Sequence, residues 1–242
     1  MWSDLSEKVI LVTGAGAGIG HALVSQLVSA NAKVIAVVRS EAQAQQLLAI
    51  DKERIQVVLV DLKHWQAVRE TLKGLPKLDG LVNNAGVAII KPFEQLTEQD
   101  FDAQFDVNIK AVFNVTQAVL PLLRDGASIV NVSSIAATRS FAGHTAYSAT
   151  KAALDSLTQS LALELGPRKI RVNAVNPTVV LTKMGADNWS DPAKSGPLLA
   201  HIPLRRFCEV QEVVDGIGYL LSNKSSFVNG HHLNLEGGYA VS

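Results

Sequence analysis

The sequence has little cysteine and no clustered charge. Cys208 is the single cysteine among 242 residues, so the chain can form neither an internal disulfide nor a thiolate metal cage, and we interpret it as a packing residue. The 22 Lys and Arg balance the 22 Asp and Glu, and no basic block indicates a nucleic-acid partner. No run approaches the roughly 20 apolar residues of a membrane-spanning helix. Since no signal-like apolar core precedes the first strand, we expect a cytoplasmic protein without an integral membrane segment.

Short β-branched runs alternate with longer segments of helical periodicity. Most candidate strands are continuous apolar runs, which is typical of strands buried on both faces. We predict an α/β fold: a single Rossmann-type doubly wound domain over 1–242, with a seven-stranded, mostly parallel sheet and helices on both faces. The candidate strands are 8–13, 32–38, 54–60, 78–84, 127–133, 169–175 and 231–235. Helices are predicted after Gly18, Glu41 and Lys63, and over 98–123, 146–165 and 210–222.

The segment 183–206 departs from this alternation. It contains Gly, Pro, Asp and Trp without a clean period. Long irregular insertions in α/β domains are commonly lids or binding loops, so we expect a lid or substrate loop here.

The connection between the first strand and the first helix is rich in glycine. Its spacing is T-G-x-x-x-G-x-G, formed by Thr13, Gly14, Gly18 and Gly20, and not the common G-x-G-x-x-G. In doubly wound folds, a dinucleotide pyrophosphate binds at this position to main-chain amides and the helix N-terminus. The loop therefore predicts a dinucleotide site, although a plain tight turn is the alternative that glycine alone does not exclude.

The end of the second strand indicates which dinucleotide binds. A carboxylate at this point would accept a hydrogen bond from the ribose 2′-hydroxyl of NAD, whereas an arginine accommodates the 2′-phosphate of NADP. The strand ends with Val38, and Arg39 and Ser40 follow it. A guanidinium beside a hydroxyl suits a phosphate, so we predict NADP(H) as the cofactor. The alternative is that Arg39 is an ordinary surface charge.

Tyr147 and Lys151 are four residues apart in a predicted helix, so both side chains are expected on one helix face. A free tyrosine has a pKa of about 10, too high for efficient proton transfer near neutral pH. An ammonium about 4 Å away would lower that pKa by up to about two or three units. Isolated Y-x-x-x-K matches are common by chance, but Ser134 follows a predicted strand and Asn108 interrupts a helical pattern. Together these residues predict general acid catalysis.

The sequence resembles the short-chain dehydrogenase/reductase family. The T-G-x-x-x-G-x-G loop, N-N-A-G, a helix asparagine, a strand-end serine and Y-x-x-x-K occur in this order over about 7–239. The resemblance implies that Tyr147 donates a proton to the substrate carbonyl, while Lys151 lowers the tyrosine pKa and binds the nicotinamide ribose. It further implies that Ser134 orients the substrate oxygen and that Asn108 holds a water in a proton relay.

The resemblance also implies a set of cofactor contacts. NADP-linked members often carry a basic residue within the glycine loop, where this sequence has Ala17, so Arg39 is expected to carry more of the 2′-phosphate. The implied cofactor-binding residues are Gly14, Gly18, Ile19, Gly20, Arg39, Ser40, Asp61, Leu62, Asn83, Ala85, Gly86, Tyr147, Lys151, Pro177, Val180 and Thr182.

The C-terminal half narrows the resemblance to a subgroup. The stretches "LALELGPRKIRVNAVNPTVVLTKMG", "WSDP" and "IPLRRFCEV" resemble tetrameric carbonyl reductases of the dicarbonyl/L-xylulose reductase type. This implies NADPH-dependent reduction of α-dicarbonyls such as diacetyl and of L-xylulose to xylitol, in a homotetramer. Ser134, His144, Tyr147 and Trp189 would face the small-molecule substrate. The alternatives are a 3-oxoacyl-thioester reductase and a non-catalytic NADP-binding scaffold.

The adjacent histidines His231 and His232 do not predict a metal site. Neighbouring residues of a strand point to opposite faces of the sheet, and no third ligand is evident. We therefore predict no metal in this protein.

Overall fold

A seven-stranded parallel sheet forms the centre of the molecule. The structure is a computed structural model that describes residues 2–242, except for the side chains of Asp187, Asn188 and Lys194. The strands pair in the order β3-β2-β1-β4-β5-β6-β7, each pair being parallel, which confirms the predicted fold class. Their bounds are β1 (Val9–Thr13), β2 (Lys33–Val38), β3 (Ile55–Leu59), β4 (Leu78–Asn83), β5 (Leu123–Val132), β6 (Arg171–Pro177) and β7 (His232–Leu235).

Helices cover both faces of this sheet. They are α1 (Gly18–Ser29), α2 (Glu41–Leu48), α3 (Trp65–Leu72), α4 (Glu98–Phe105), α5 (Ala111–Val119), α6 (Thr145–Leu165), α7 (Lys183–Trp189), α8 (Pro192–His201) and α9 (Val210–Leu221). Leu27 and Ile217 join the buried cluster on the face of α1 and α9, and Val68 and Val115 join the cluster on the opposite face. Within residues 2–242, no helix is both long and apolar enough to cross a membrane.

The long helix predicted over 98–123 is interrupted. A π-helical turn over Asp106–Lys110 separates α4 from α5, and the helical segment ends at Val119. Asn108 lies within this turn, so the predicted break in the helical hydrogen-bond ladder is confirmed. The position of the C-terminal end was wrong, because β5 already begins at Leu123.

The segment predicted as irregular contains two short helices, α7 and α8. Thr182 caps α7 by accepting a hydrogen bond from the Gly185 amide, and Asp191 caps α8 by accepting one from the Ala193 amide. Pro192 stands at the start of α8, where a missing amide hydrogen costs no helical bond. The prediction of irregular structure was wrong because these caps start helices of only 7 and 10 residues, about two and three turns, which are too short to show a clear apolar period.

The order of the strands reverses between β1 and β4, which are neighbours in the sheet although β2 and β3 separate them in the chain. Connections leave in opposite directions at such a point, so a crevice opens at the carboxyl ends of the two strands. Thr13 at the end of β1 and Asn84 after β4 stand at this crevice.

Candidate active site

A cleft of about 430 Å³ opens along the carboxyl ends of the strands, with β1 and β4 at its centre. It brings most of the sequence-predicted cofactor and substrate residues together. Those that line it are Gly14, Gly18, Ile19, Arg39, Asp61, Leu62, Ala85, Gly86, Ser134, His144, Tyr147, Lys151, Pro177, Val180, Thr182 and Trp189.

Three residues predicted as cofactor contacts do not belong to this described lining. Asn83 points into the interior, where its Nδ2 donates to Asn131 Oδ1 at 2.9 Å and to Thr116 Oγ1 at 3.1 Å. Ser40 caps α2, its hydroxyl accepting from the Gln43 amide. Gly20 packs against the loop itself, since a Cβ there would lie 2.3 Å from Gly14 O. The cofactor roles of these three residues stay predictions, and Asn84, which the sequence did not single out, lines the cleft beside Ala85.

The glycine loop approaches β4 closely. Gly14 has a φ of +62°, and a Cβ there would lie 2.8 Å from Ala85 Cα, so only glycine fits without displacing the backbone. Thr13 Oγ1 accepts from the amides of Asn84 and Ala85 at 3.0 and 3.1 Å, which ties the loop to the end of β4. At the N-cap of α1, Ala17 has no side-chain acceptor for the first-turn amides. These amides fit an anionic diphosphate.

Two cations line the far end of the cleft. Arg39 follows β2, and Lys63 follows β3, the neighbouring strand. Neither side chain forms an ion pair with another residue of the described chain. The sequence did not single out Lys63, although its position just beyond Asp61, at the end of the third strand, was an available signal. This end of the cleft fits a phosphate monoester better than a bare hydroxyl, because neither cation is engaged in an ion pair among the described residues.

Ser134, Tyr147 and Lys151 converge at the centre of the cleft. Ser134 follows β5, and its hydroxyl lies close enough to the Tyr147 phenol to influence its pKa. Tyr147 and Lys151 lie one turn apart on α6, with the Lys151 ammonium 5.6 Å from the centre of the tyrosine ring. Lys151 is 5% exposed, and its Nζ donates to Val132 O at 2.8 Å. The predicted catalytic residues of β5 and α6 are therefore brought together.

Burial dominates the electrostatics of this centre. It raises the pKa of Tyr147 above its ordinary value, and the neighbouring Ser134 hydroxyl opposes this rise. Burial also lowers the pKa of Lys151 to about 8, although the charge of Asp155 opposes the change. In the protein alone, desolvation of the phenol is the dominant influence on the pKa of Tyr147, and the Lys151 ammonium donates to the main-chain oxygen of Val132.

Asn108 is fully buried behind Tyr147 and Lys151. It does not belong to the described lining of the cleft. Its Oδ1 accepts from the Val87 amide at 2.8 Å, and its Nδ2 donates to Val87 O at 2.9 Å. Nδ2 also donates to Thr150 Oγ1 at 3.0 Å, and that hydroxyl donates to Tyr147 O. The amide thus joins the π turn, the segment after β4 and the first turns of α6.

Aromatic rings form the wall of the cleft beyond Tyr147. His144 stacks on Trp189 with ring centres 6.2 Å apart and meets Phe141 at 5.4 Å. The Nδ1 of His144 lies 2.9 Å from Ala142 O, and because a carbonyl oxygen only accepts, Nδ1 carries the proton and Nε2 is the acceptor. Burial lowers the pKa of His144, which favours this neutral form. The sequence missed Phe141, which shows no pattern distinguishing it from a packing residue.

Cys208 lies outside the described lining of the cleft. Burial raises the pKa of its thiol to about 12. A thiolate is therefore unfavourable near neutral pH, in line with the interpretation of Cys208 as a packing residue.

The chain matches a known family model and several curated proteins over its length. The model for enoyl-(acyl carrier protein) reductases matches residues 14–240. An L-xylulose reductase of Mesocricetus auratus is 48% identical over 240 residues, which is 98% of each chain. A D-erythrulose reductase of Gallus gallus and the NADPH carbonyl reductase 2 of Sus scrofa are each 45% identical over 247 residues, covering both chains fully.

Solved structures share the fold closely. A Serratia marcescens short-chain dehydrogenase/reductase variant superimposes with a TM-score of 0.90 at 31% identity, over 98% of this chain and 100% of that one. A structure from Beutenbergia cavernae, described as a putative NAD(P)-dependent gluconate 5-dehydrogenase with NADP bound at low occupancy, gives 0.92 at 28% identity, with full coverage of both chains.

Proposed function

The chain belongs to the short-chain dehydrogenase/reductase family, and we propose that it reduces carbonyl compounds with NADPH. The proposed substrates are α-dicarbonyls such as diacetyl, and L-xylulose, which would yield xylitol. The observation that carries this proposal is the position of Ser134, Tyr147 and Lys151 midway along one cleft. A glycine loop and two cations lie to one side of them, and an aromatic wall lies to the other.

The choice of NADP(H) rests on the charge of the cleft. Arg39 and Lys63 would hold the 2′-phosphate, and the amides at the start of α1 would hold the diphosphate. Gly14 and Gly18, both at positive φ, would let the cofactor approach the main chain. The Sus scrofa relative named for NADPH and the NADP-containing neighbour support the same choice.

The proposed mechanism is general acid catalysis beside a hydride donor. Bound NADPH supplies the hydride. Ser134 Oγ donates a hydrogen bond to the substrate carbonyl oxygen and fixes its position beside the phenol. Tyr147 Oη donates its proton to that oxygen, which prevents an alkoxide from accumulating. Lys151 stabilises the resulting phenolate, and Asn108 holds α6 in register, supporting the proposed proton relay from solvent to the lysine.

The aromatic wall would select the substrate. His144 and Trp189 face the cleft beside Tyr147, and the free Nε2 acceptor of His144 suits a hydroxyl next to the reacting carbonyl. Such a hydroxyl is present in L-xylulose, whereas the planar rings also suit a small flat molecule such as diacetyl. We propose that 183–206, which carries Trp189 on α7, closes over the substrate as a lid.

We also propose a single domain that assembles as a homotetramer in the cytoplasm. Phe101 on α4 and Phe113 on α5 are large apolar residues that are 47% and 45% exposed. Side chains of this size are normally covered in a stable assembly. Pairing of α4, α5 and α6 with the same helices of other subunits would cover them.

A substrate panel tests the proposed function. Purified enzyme is given diacetyl, L-xylulose or an acetoacetyl thioester, with NADPH or NADH, and oxidation of the cofactor is followed by absorbance. We expect turnover of the first two with NADPH. Acyl thioesters are the second candidate, because the matching family model is described as an enoyl-(acyl carrier protein) reductase. Turnover of the thioester alone would replace the proposed substrates, and absence of any turnover would support the non-catalytic scaffold.

A further inference from the structure

A buried polar cluster lies behind Tyr147 and Lys151, where α6 faces β6 and β7. We call Asp155, Asn176 and His232 the Asp155 cluster. Asp155 is 6% exposed, and its Oδ2 accepts from Asn176 Nδ2 at 2.8 Å. His232 Nε2 lies 3.1 Å from the main-chain oxygen of Asp155 and must donate to it, and His232 Nδ1 lies 3.6 Å from Oδ2. Asn176 on β6 therefore holds the carboxylate, and the His232 ring on β7 is bound to the main chain of the same residue.

Burial of the Asp155 cluster lowers the stability of the fold. Oδ1 of Asp155 and Oδ1 of Asn176 are buried without a hydrogen-bond partner among the described residues. A carboxylate removed from water destabilises the protein unless opposite charge and hydrogen bonds compensate it. Two hydrophobic side chains of similar volume would fill the same space at lower cost. The presence of a half-satisfied carboxylate here points to a task other than packing.

Lys151 is the cation placed to compensate Asp155. It lies one turn earlier on α6, so the two side chains lie on the same helix face. Their anchors are also neighbours: Lys151 Nζ donates to Val132 O on β5, and Val132 pairs with Val175, the residue before Asn176 on β6. Lysine and carboxylate are thus fixed by adjacent strands.

We propose that Asp155 is a positioning residue for proton transfer, whose buried carboxylate keeps Lys151 protonated and aligned with Tyr147 from the side opposite the cleft. The inference rests on the proposed function, because Asp155 acts only through Lys151. The Asp155 cluster also reaches the substrate side, since Asn176 precedes Pro177, whose carbonyl oxygen lies 3.5 Å from Ser134 Oγ.

The surrounding charges make Lys151 sensitive to this carboxylate. Burial alone lowers the pKa of Lys151, and Asp155 is the charge that opposes it. The titratable groups facing Asp155 are Lys151 on its own helix and His232 on β7. Towards the same part of α6, β5 and β6 direct Asn131 and Asn176, both uncharged. Removal of the Asp155 charge should therefore lower the pKa of Lys151 below about 8.

The first test measures Lys151 directly in the cofactor-free protein. Lysine side chains are labelled with ¹³C at Cε, the Lys151 signal is assigned by its loss in Lys151→Met, and its titration is followed by NMR. Asp155→Asn keeps the shape and an acceptor for Asn176, and we expect the titration midpoint to fall by about one pH unit or more. Glu164→Gln, which removes an exposed charge from the same helix, should leave the midpoint unchanged.

The second test uses the pH profile of kcat for the carbonyl reduction. A fall of about one unit in the Lys151 pKa reduces activity about fivefold at pH 8 and less than about twofold at pH 6.5. Asp155→Glu, which keeps the charge, should restore most of the profile, and Asp155→Ser serves as the neutral variant if Asp155→Asn does not fold. An unchanged NMR midpoint in a folded neutral variant overturns the inference. Lack of carbonyl reduction by the unmodified enzyme overturns the proposed function instead, and the NMR result still decides whether Asp155 holds the charge of Lys151.

Discussion

At the scale of single residues, the orientation of a few polar side chains decides which of them can take part in chemistry in this cleft. The Tyr147 phenol lies beside the Ser134 hydroxyl, whereas the Lys151 ammonium donates a hydrogen bond to Val132 O. The adjacent residues Asn83 and Asn84 have different surroundings. Asn83 forms a hydrogen bond within the sheet, and Asn84 lines the cleft. A motif such as N-N-A-G places both residues at the strand end, but the alternation of side chains at the end of β4 decides which one faces the cleft.

Replacement of Tyr147 by Phe should lower kcat for diacetyl by about 10²- to 10⁴-fold, the usual contribution of a general acid. The ring and its packing against His144 are retained, so binding of NADPH, measured by fluorescence titration, should persist. Tyr239→Phe is the matched control, because Tyr239 stacks on Phe141 in the same aromatic region and its hydroxyl has no proposed part in the reaction. Equal activity of Tyr147→Phe and the unmodified enzyme would exclude Tyr147 as the acid.

Replacement of Arg39 by Asp should raise the KM for NADPH by about tenfold or more, the value of a charge-assisted contact to phosphate. The KM for NADH should change far less, because NADH lacks the 2′-phosphate. Lys63→Gln should act in the same direction and more weakly, since it removes one charge and adds none. The exposed Lys52→Asp controls for general charge effects. Equal changes for both cofactors would remove Arg39 from the phosphate site.

At the scale of secondary-structure elements, long apolar runs in the sequence predicted strands, whereas capping residues alone did not predict the short helices. The strands β1, β2, β4 and β6 were predictable because each is an apolar run buried on both faces, and the π turn was signalled by Asn108. The helices α7 and α8 were not, because local capping by Thr182 and Asp191 starts them without an apolar period. The interior orientation of Asn83 depends on Asn131 and Thr116, which are distant in sequence. No local pattern contains such contacts.

The connection between β1 and α1 offers a direct test of backbone fit. Gly14→Ala places a Cβ at a φ of +62° and 2.8 Å from Ala85 Cα, so we expect a loss of about 1–3 kcal/mol in stability and weaker NADPH binding. Gly74→Ala is the matched control, because a Cβ there meets no atom within 4 Å. Thermal unfolding and fluorescence titration measure the two effects. A Gly14→Ala protein as stable and as competent as Gly74→Ala would show that the loop tolerates a side chain.

At the scale of the whole molecule, the buried Lys151 of the candidate site lowers the stability of the fold. Lys151 is buried with a pKa of about 8, whereas an exposed lysine titrates near 10.5. Below pH 8, both the folded and the unfolded chain hold this proton, and the folded chain bears the full cost of a buried ammonium. Between about pH 8 and 10.5, the folded chain has released the proton while the unfolded chain retains it, so the cost declines as pH rises.

Replacement of Lys151 by Met should abolish activity and remove this pH dependence of stability. As the pH rises from about 8 to 10.5, the free energy of unfolding of the unmodified enzyme should increase relative to that of Lys151→Met by at most about 3 kcal/mol. The lost hydrogen bond to Val132 O and the loss of the cation beside Asp155 lower the stability of Lys151→Met at both pH values and leave this trend unchanged. Urea unfolding at pH 7 and at pH 9.5 measures the trend, and the exposed Lys169→Met provides the comparison for a surface lysine. The same difference in stability between Lys151→Met and the unmodified enzyme at both pH values would contradict the cost assigned to the buried ammonium.

The proposed catalytic residues and part of the proposed substrate wall lie on different elements of the chain. The proposed catalytic residues Tyr147 and Lys151 belong to α6, which is packed against the sheet, whereas Trp189 belongs to α7 in the connection from β6 to α9. Surface connections accept insertions and substitutions that packed elements do not. We therefore expect descendants of this chain to acquire new substrates by substitutions within 183–206 while the proposed proton donor stays in place, and directed evolution of specificity should begin there.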